Sequence, residues 1–357
     1  MLNFTIGPVM SSDDIIEVAN HSTPYFRTPE FSTIMKENEA IMLELFKAPI
    51  NSRCIFLTAS GTGAMESVVM NVLNSKDEVL VINGGSFGQR FADLCNLHNR
   101  KATEIKLPFG HQLSKEQLNK YSNMGYTALL VNMHETSSGV LYDIKMISDF
   151  CKQNRIMLII DAISSFIADE LDMSELGAAV VITGSQKALA VQPGVSIVAL
   201  SPQALQRIEN NKEVCMYLSM KEALVNGERG QTPYTPAVTI LLQINKRLRD
   251  IKENGGIIYE REQVRSIAQQ FRDGIKDLPL EVVPESQSNA VTCLRTRNES
   301  ALDIFRILKD EYNIWICPNG GEIGKRVFRV GHIGHITKQD NNELIDAMHK
   351  LYDRGVF

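Results

Sequence analysis

Short apolar runs recur along the first two thirds of the chain, and segments with helical spacing of apolar residues separate most of them. The runs are nearly continuous in apolar residues, which is typical of parallel strands covered by helices on both faces. Seven are predicted to be strands: Cys54–Thr58, Val79–Ile82, Thr103–Leu107, Ala128–Met133, Ile156–Asp161, Ala179–Thr183 and Val195–Ser201. The pattern therefore predicts an α/β fold with a mostly parallel, doubly wound, seven-stranded sheet.

The pattern changes after a long predicted helix that runs from Val238 to about Ile251 and ends before Asn254-Gly255-Gly256. Beyond this turn, alternating helical and strand patterns predict a smaller α+β domain. At the other end of the chain, an extended segment precedes a short helix that Ser11 or Ser12 would cap. We therefore predict an N-terminal arm at 1–17, a large domain at 18–255 and a small C-terminal domain at 256–357.

Lys187 lies between two of the apolar runs, in the segment Thr183-Gly184-Ser185-Gln186-Lys187-Ala188-Leu189. A surface charge is out of place between two buried strands. A desolvated lysine amine is also a nucleophile that forms Schiff bases with carbonyl compounds. The alternative is a loop lysine at the rim of the sheet, and this segment alone favours neither interpretation.

Two further polar sites follow predicted strands. Asp161 ends an apolar run, at the sheet edge where open α/β folds bind ligands, although it could instead cap the next segment. Ser60-Gly61-Thr62 precedes a helical pattern and offers N–H groups and hydroxyls to a phosphate. A glycine turn alone is weak support. This turn, an aspartate and a lysine, each at a strand end and in that order along the chain, are a much stronger indication of a ligand site.

Composition and charge narrow the class of protein. Of the 357 residues, 44% are hydrophobic and 22% charged, which is ordinary for a soluble globular protein. A net charge of −5 argues against nucleic-acid binding. The six cysteines form no C-x-x-C pair, which predicts reduced thiols in a cytoplasmic protein and no zinc site. No export signal is expected, and no apolar run reaches the roughly 20 residues that a membrane span needs.

Two motifs resemble those of a known family. Gly184-Ser185-Gln186-Lys187-Ala188-Leu189 with Pro193-Gly194 is similar to the cofactor-lysine segment of alanine–glyoxylate aminotransferases. Phe328-Arg329-Val330-Gly331-His332-Ile333-Gly334 resembles the Phe-Arg-Ile-Gly motif of the wider family. That family is the class V, fold-type I aminotransferases, which also includes serine–pyruvate and 2-aminoethylphosphonate–pyruvate transaminases. The resemblance extends from Gly7-Pro8 to the last helix.

The resemblance implies a set of contacts with pyridoxal 5′-phosphate. Lys187 would form an aldimine with the cofactor and then move the substrate proton, and Asp161 would keep the pyridine nitrogen cationic. The other implied cofactor contacts are Ser60, Gly61, Thr62 and Gln186 at the phosphate, Phe87 on the ring and Thr136 by the phenolic oxygen. Structural alternatives are a capped helix start for the phosphate loop and plain core packing for the aromatic ring. His134 is expected to be a hydrogen-bonded structural histidine.

The resemblance also implies contacts with substrate and with a second subunit. Arg329 would bind the substrate carboxylate through its bidentate guanidinium, with Gly7 and Arg27 as further substrate-binding residues. Thr235 lies in a Thr-Pro-x-Thr-Pro element that reaches the neighbouring subunit's phosphate in the family, which implies a homodimer with shared active sites. The alternatives are a solvated loop charge for Arg27 and a Pro-rich turn around Thr235.

The implied function is transfer of an amino group from an alanine-like or serine-like donor to a small 2-oxo acid, glyoxylate or pyruvate. The chain has Gly61-Thr62 where alanine–glyoxylate enzymes have Gly-His, and its arginine motif, with His332 and His335, is closer to the aminoethylphosphonate enzymes. A 2-aminoethylphosphonate–pyruvate transaminase is therefore an alternative. A cysteine desulfurase-like lyase would need a mobile nucleophilic thiol, for which Cys317 is the candidate, although Pro318 indicates a stiff strand exit. A non-catalytic dimeric scaffold is the third alternative.

Overall fold

The computed structural model describes residues 1–357. The α-helices are Asp13–Glu17, Pro29–Leu45, Gly61–Asn71, Ser86–Leu97, Lys115–Asn119, Ile144–Asn154, Met173–Leu176, Pro202–Asn210, Met220–Gly227, Val238–Glu253, Gly256–Gly274, Ala301–Tyr312 and Lys338–Asp353. Single 3₁₀ turns lie at Val18–Asn20 and Glu322–Lys325. The strands are Leu2–Asn3, Arg53–Leu57, Glu78–Asn83, Lys101–Lys106, Ala128–Asn132, His134–Glu135, Val140–Leu141, Met157–Asp161, Ala178–Gly184, Ser196–Leu200, Leu280–Val282, Val291–Thr296, Ile314–Trp315, Cys317–Pro318 and Val327–Gly331.

The largest sheet contains the seven predicted strands. Their order across the sheet is Arg53–Leu57, Ser196–Leu200, Ala178–Gly184, Met157–Asp161, Ala128–Asn132, Glu78–Asn83, Lys101–Lys106. Only Ser196–Leu200 runs antiparallel to its neighbours, because a loop without a crossover helix returns the chain beside Ala178–Gly184. The predicted α/β fold with a mostly parallel, seven-stranded sheet is confirmed.

Helices cover both faces of this sheet, which explains why its strands are apolar throughout. Along Glu78–Asn83, Val79 and Val81 point into one apolar cluster, whereas Leu80 and Ile82 point into another. All four side chains are fully buried. Successive side chains of a strand face opposite sides, so a sheet with two covered faces needs no polar alternation.

The C-terminal part of the chain builds a second sheet. Its strands lie in the order Leu280–Val282, Val291–Thr296, Val327–Gly331, Cys317–Pro318, and all its pairs are antiparallel. Helices from the same part of the chain supply half of the buried residues in a third apolar cluster around this sheet. The two-residue strand Cys317–Pro318 was not predicted, because it is too short to show a period.

The N-terminal segment is tied to the C-terminal part of the chain. Leu2–Asn3 pairs in parallel with Ile314–Trp315, and Phe4 is fully buried in the third apolar cluster. The main-chain N–H of Gly331 donates to the Phe4 carbonyl at 2.7 Å. The segment was predicted to be extended, but these long-range contacts have no signature in the sequence. No helix of the protein is both long enough and apolar enough to span a membrane.

Candidate active site

Lys187 lies in the loop between Ala178–Gly184 and Ser196–Leu200. The loop is held by its own hydrogen bonds, among them one of 2.7 Å from the Ser185 hydroxyl to the Gln192 carbonyl. The Lys187 amine donates to the main-chain carbonyl of Ile6 at 2.5 Å. Gly7, with φ +119°, lies directly against the lysine, and a Cβ there would be 2.8 Å from Lys187 Cδ. Only glycine fits this close approach without strain.

The surroundings of Lys187 make its amine more reactive than that of a surface lysine. Burial lowers its pKa to about 8, because the charged ammonium loses hydration. The negative charge of Asp161 acts in the opposite direction, while the positive charge of Arg329 adds to the lowering. A substantial share of the amine is therefore neutral near pH 8, which attack on a carbonyl carbon requires.

Asp161 is the last residue of its strand and is 5% exposed. Burial raises the pKa of its carboxyl to about 6, while a 2.8 Å hydrogen bond from the Ile163 N–H acts in the opposite direction. The carboxylate can therefore still be charged at neutral pH, in a place with little water. A buried carboxylate of this kind stabilises a cationic partner strongly.

Ser60-Gly61-Thr62 forms the start of helix Gly61–Asn71, as predicted. The Ser60 hydroxyl caps none of the helix N–H groups and is exposed. A Cβ on Gly61 would lie 2.3 Å from the Ile163 side chain, so this turn packs directly against the residue that hydrogen-bonds Asp161. The helix N-terminus thus offers free donors to an anion beside the carboxylate.

Phe87 is half-buried at the start of helix Ser86–Leu97, and the Arg90 guanidinium lies 4.8 Å from the centre of its ring. Arg90 also donates to the Thr62 hydroxyl at 3.1 Å, which joins this helix to the turn Ser60-Gly61-Thr62. The fully buried Glu135 carboxylate accepts from the N–H groups of Phe87 (3.4 Å) and Gly88 (3.0 Å). Glu135 therefore caps the helix that carries the aromatic ring.

Thr136 and His134 share a buried hydroxyl partner. The Ser164 hydroxyl lies 2.8 Å from the Thr136 hydroxyl and 2.9 Å from His134 Nδ1. Burial lowers the pKa of His134 to about 3, and the charge of Lys187 contributes further, so the imidazole is neutral. Its Nε2 is buried and has no hydrogen-bond partner in the protein.

Arg329 is 9% exposed and lies on one of the two inner strands of the small sheet. It donates to the carbonyls of Thr136 (3.2 Å) and Pro318 (3.1 Å) and to the sulfur of Cys317 (3.2 Å). Its buried Nε has no partner. Arg329 thereby connects the small sheet to the segment that carries Thr136, and it acts electrostatically on Lys187.

Within the single chain, three further predicted site residues have contacts that differ from those the prediction implied. The guanidinium of Arg27 donates to the Gln231 side chain and to the carbonyls of Thr232 and Pro233. Thr235 is exposed and makes no hydrogen bond within the chain. Gln186 adjoins Lys187, but its side-chain oxygen folds back over Gly184.

The two histidines of the arginine motif differ in burial and in their contacts. His332 is buried against the Thr292 hydroxyl at 2.8 Å, and burial places its pKa well below the usual value, so the ring is neutral. His335 is exposed, and its main-chain N–H donates to the Met10 carbonyl. Neither histidine therefore supplies a buried positive charge beside Arg329.

The residues missed at the sequence level are Ile6, Ser164, Arg90 and Glu135. Ile6 contributes its main-chain carbonyl, which every residue type has, so its residue type gives no indication of this role. Ser164 lies three residues after Asp161, and no role was predicted for it from the sequence. Arg90 and Glu135 lie close in the sequence to Phe87 and Thr136, which were predicted to contact the cofactor. A charged side chain close in the sequence to a predicted site residue is the signal that could have identified Arg90 and Glu135.

The sequence pattern described as "Aminotransferase class-V" matches residues 16–330. The "Soluble hydrogenase 42 kDa subunit" of Anabaena cylindrica is 28% identical over 91% of this chain and 86% of that protein. The "L-aspartate–glyoxylate aminotransferase" of Paracoccus denitrificans is 24% identical over 94% of this chain and 86% of that protein.

Among solved structures, the alanine–glyoxylate aminotransferase of Nostoc sp. superposes with a TM-score of 0.91, at 22% identity over 98% of this chain and 95% of that one. At that identity the superposition establishes the shared fold. The match over residues 16–330 covers the strand ends, the lysine loop and most of the arginine strand described above. The chain belongs to the class V aminotransferases, enzymes that use pyridoxal 5′-phosphate as their cofactor.

Proposed function

We propose that the protein transfers an amino group from a small monocarboxylate donor, alanine or serine, to a small 2-oxo acid such as glyoxylate or pyruvate. The observation that carries this proposal is the electrostatic coupling of three ionisable groups. These are the Lys187 amine, whose pKa is lowered, the buried carboxyl of Asp161 and the buried guanidinium of Arg329. The charges of Asp161 and Arg329 both act on the amine.

The donors and acceptors at this site fit pyridoxal 5′-phosphate. Free N–H groups at the start of helix Gly61–Asn71 suit a phosphate, and the buried, unpaired Nε2 of His134 suits a polar ligand group. The residues that would hold the cofactor are Ser60, Gly61, Thr62 and Gln186 at the phosphate, Phe87 on the ring, Thr136 at the phenolic oxygen, Asp161 at the ring nitrogen and Lys187 at the aldehyde.

When bound, the cofactor supplies an electron sink for the charge left at the substrate Cα. Asp161 would hold a proton on the ring nitrogen, because a buried carboxylate favours a cationic partner. Lys187 Nζ, with a pKa of about 8, would take the proton from the substrate Cα and deliver it to the cofactor's aldehyde carbon, on the other side of the shared nitrogen. The Ile6 carbonyl would orient the amine whenever it is free.

The preference for one carboxylate rests on the charges near Arg329. Arg27 is engaged by the segment Gln231–Pro233, and His332 is buried and neutral. A single guanidinium suffices for the carboxylate of alanine, serine, pyruvate or glyoxylate. A dianionic phosphonate, or the second carboxylate of aspartate, would need another cation, so 2-aminoethylphosphonate is the runner-up donor.

A homodimer with shared sites is part of the proposal. Thr235 is exposed and unpaired within its own chain, as expected of a residue that contacts a second copy. Tyr217 and Tyr234 stack beside it at 5.5 Å, and Tyr217 and Met216 are large exposed side chains. Exposed aromatic groups of this kind favour an interface.

The test is a single-turnover experiment on the holoenzyme with alanine, serine, aspartate and 2-aminoethylphosphonate, followed by loss of the visible absorbance of the bound cofactor. Alanine or serine should react fastest. Arg329→Lys should weaken that reaction by about 1–3 kcal/mol, because lysine cannot form the bidentate fork. Faster reaction of the phosphonate would overturn the choice of donor and leave the roles of Lys187 and Asp161 untouched.

The lyase alternative has less support. Cys317 lies in a strand paired with Val327–Gly331, and its sulfur accepts a hydrogen bond from Arg329. A nucleophilic thiol that must travel to the substrate is usually carried on a mobile loop. Release of sulfide from L-cysteine at a rate comparable to amino transfer would reinstate this alternative.

A further inference from the structure

The guanidinium of Arg329 is already occupied on the side that a substrate needs. A guanidinium binds a carboxylate in two bidentate ways, through Nε with Nη2 or through Nη1 with Nη2. Both ways use Nη2. Both hydrogens of Nη2 have acceptors in the protein, the Pro318 carbonyl at 3.1 Å and the Cys317 sulfur at 3.2 Å.

One of these two acceptors must therefore give way when a carboxylate binds in the bidentate mode. The Pro318 carbonyl belongs to a main chain paired with the arginine strand, so it is fixed. The Cys317 sulfur is on a side chain that rotates about one bond, and a thiol sulfur is a weak acceptor. The sulfur is the group that moves more easily.

The sheet register explains why this thiol meets this arginine. Cys317 is directly opposite Arg329 in the antiparallel pair, so the two side chains point to the same face. Cys293 is opposite Arg329 on the other neighbouring strand but makes no hydrogen bond with it. The Arg329 side chain is nine-tenths buried and its Nε has no partner, which points to a ligand at this place.

We propose that Cys317 is a specificity-determining residue: its sulfur occupies an N–H position of Arg329 that the substrate carboxylate takes over on binding. This role rests on the proposed function, in which Arg329 binds that carboxylate. A weak acceptor keeps the guanidinium oriented in the free enzyme and is displaced at little cost. A stronger acceptor at position 317 would compete with substrate, and an apolar side chain would not compete at all.

The test compares Cys317→Ser and Cys317→Ala with the wild-type holoenzyme. A hydroxyl is a stronger acceptor than a thiol, and a neutral hydrogen bond contributes about 0.5–1.5 kcal/mol. KM for donor and acceptor should therefore be highest in Cys317→Ser, and in Cys317→Ala it should be equal to or lower than in the wild type. The two variants should differ by roughly fivefold. kcat should change by less than about twofold, since the bond is lost on binding and not in the chemical step.

A second measurement separates binding from turnover. Propionate carries a carboxylate but neither an amino nor an oxo group, so its inhibition constant reports on the carboxylate position alone. It should show the same order in the three proteins. If Cys317→Ser does not fold, Cys317→Ala must still bind propionate at least as tightly as wild type. Cys293→Ala is the matched control, because it removes a thiol that is also opposite Arg329 but accepts no hydrogen bond from the guanidinium, and it should leave the inhibition constant unchanged.

Equal constants for Ala and Ser, or weaker propionate binding by Ala than by wild type, would overturn the proposal. Arg329→Lys distinguishes this failure from failure of the proposed function. If Arg329→Lys weakens propionate binding while the Cys317 variants do not differ, only the role of Cys317 is wrong. If Arg329→Lys leaves propionate binding intact, the substrate role of Arg329 is itself wrong.

Discussion

Lys187 donates a hydrogen bond to the carbonyl of Ile6, from which it is separated by 181 positions in the sequence. The same N-terminal segment accepts a hydrogen bond from Gly331 at the Phe4 carbonyl, and its Val9 N–H donates to the Gln186 carbonyl. The segment therefore joins the lysine loop to the strand that carries Arg329. The candidate site depends on the first ten residues as much as on the motifs that identify it.

Gly7→Ala should impair this junction. A Cβ would lie 2.8 Å from Lys187 Cδ and 3.0 Å from the Gln186 carbonyl, at a φ of +119° that side chains rarely adopt. We expect kcat to fall at least about tenfold, since a lysine displaced by even a small distance loses its alignment. The control is Gly125→Ala, also at positive φ but with nothing within 4 Å of its Cβ. Equal kcat values for the two variants would show that the contact with Lys187 does not matter.

The pH dependence of cofactor uptake should report the pKa of Lys187. Burial lowers that pKa from 10.5 to about 8, and only the neutral amine attacks an aldehyde. The rate at which cofactor-free protein bonds to pyridoxal 5′-phosphate should rise about tenfold per pH unit below 8 and level off above it. Stopped-flow absorbance measures this rate, and Lys187→Ala should show no covalent uptake. A rate that keeps rising to pH 10 would contradict the buried, low-pKa amine.

Asp161→Asn should lower activity and raise the stability of the cofactor-free protein. Burial raises the carboxyl pKa from 3.8 to about 6, so ionisation costs the folded state roughly 3 kcal/mol above pH 6 and nothing below pH 3.8. Stability is thus lost as pH rises through that window, and asparagine removes the loss. Urea unfolding at pH 4 and pH 8 should show a gain only at pH 8. kcat should fall at least about a hundredfold, because an amide cannot hold the pyridinium proton. A kcat within tenfold of wild type would show that this role of Asp161 is wrong.

The fold was predictable because its strands are buried on both faces. Runs such as Val79–Ile82 need no alternation, so each stands out as an uninterrupted apolar stretch. The same geometry explains why the position of Asp161 could be predicted, since the carboxyl ends of parallel strands meet at one edge. Lys187 could be identified as a candidate because it lies between two such strands. The lysine motif lies at one of these ends, whereas the arginine motif lies on a strand of the small sheet.

What could not be predicted comes from pairings of very short segments and from main-chain groups. Leu2–Asn3 and Cys317–Pro318 each have two residues, which is too few for any period to appear. The Ile6 carbonyl carries no residue-type signal. Arg27 resembled a substrate residue, yet within one chain it is held by the carbonyls of Thr232 and Pro233, a tertiary contact that no local pattern encodes.

Glu135 is predicted to set the position of the aromatic ring on the cofactor. Its carboxylate is fully buried and accepts from the N–H groups of Phe87 and Gly88, from the Asn132 amide at 2.8 Å and from the Ser137 hydroxyl at 2.5 Å. Every one of these partners is a donor. Glu135→Gln keeps the volume but turns an amino group toward them, which leaves buried donors unpaired at about 1–3 kcal/mol. We expect the cofactor dissociation constant to rise at least about tenfold, because helix Ser86–Leu97 would shift with Phe87.

Cofactor titration of the purified variant, read out by quenching of protein fluorescence, measures that constant, and thermal unfolding measures the accompanying loss of stability. Glu285→Gln is the control, because Glu285 is an exposed carboxylate that also accepts a main-chain N–H, from Gln112 at 2.7 Å, away from the site. It should change neither quantity appreciably, since exposed hydrogen bonds contribute little. If Glu135→Gln lowers the melting temperature but binds cofactor as tightly as wild type, Glu135 stabilises the fold without positioning Phe87. A reduced affinity that Phe87→Leu does not reduce further would indicate that the two residues act through the same contact.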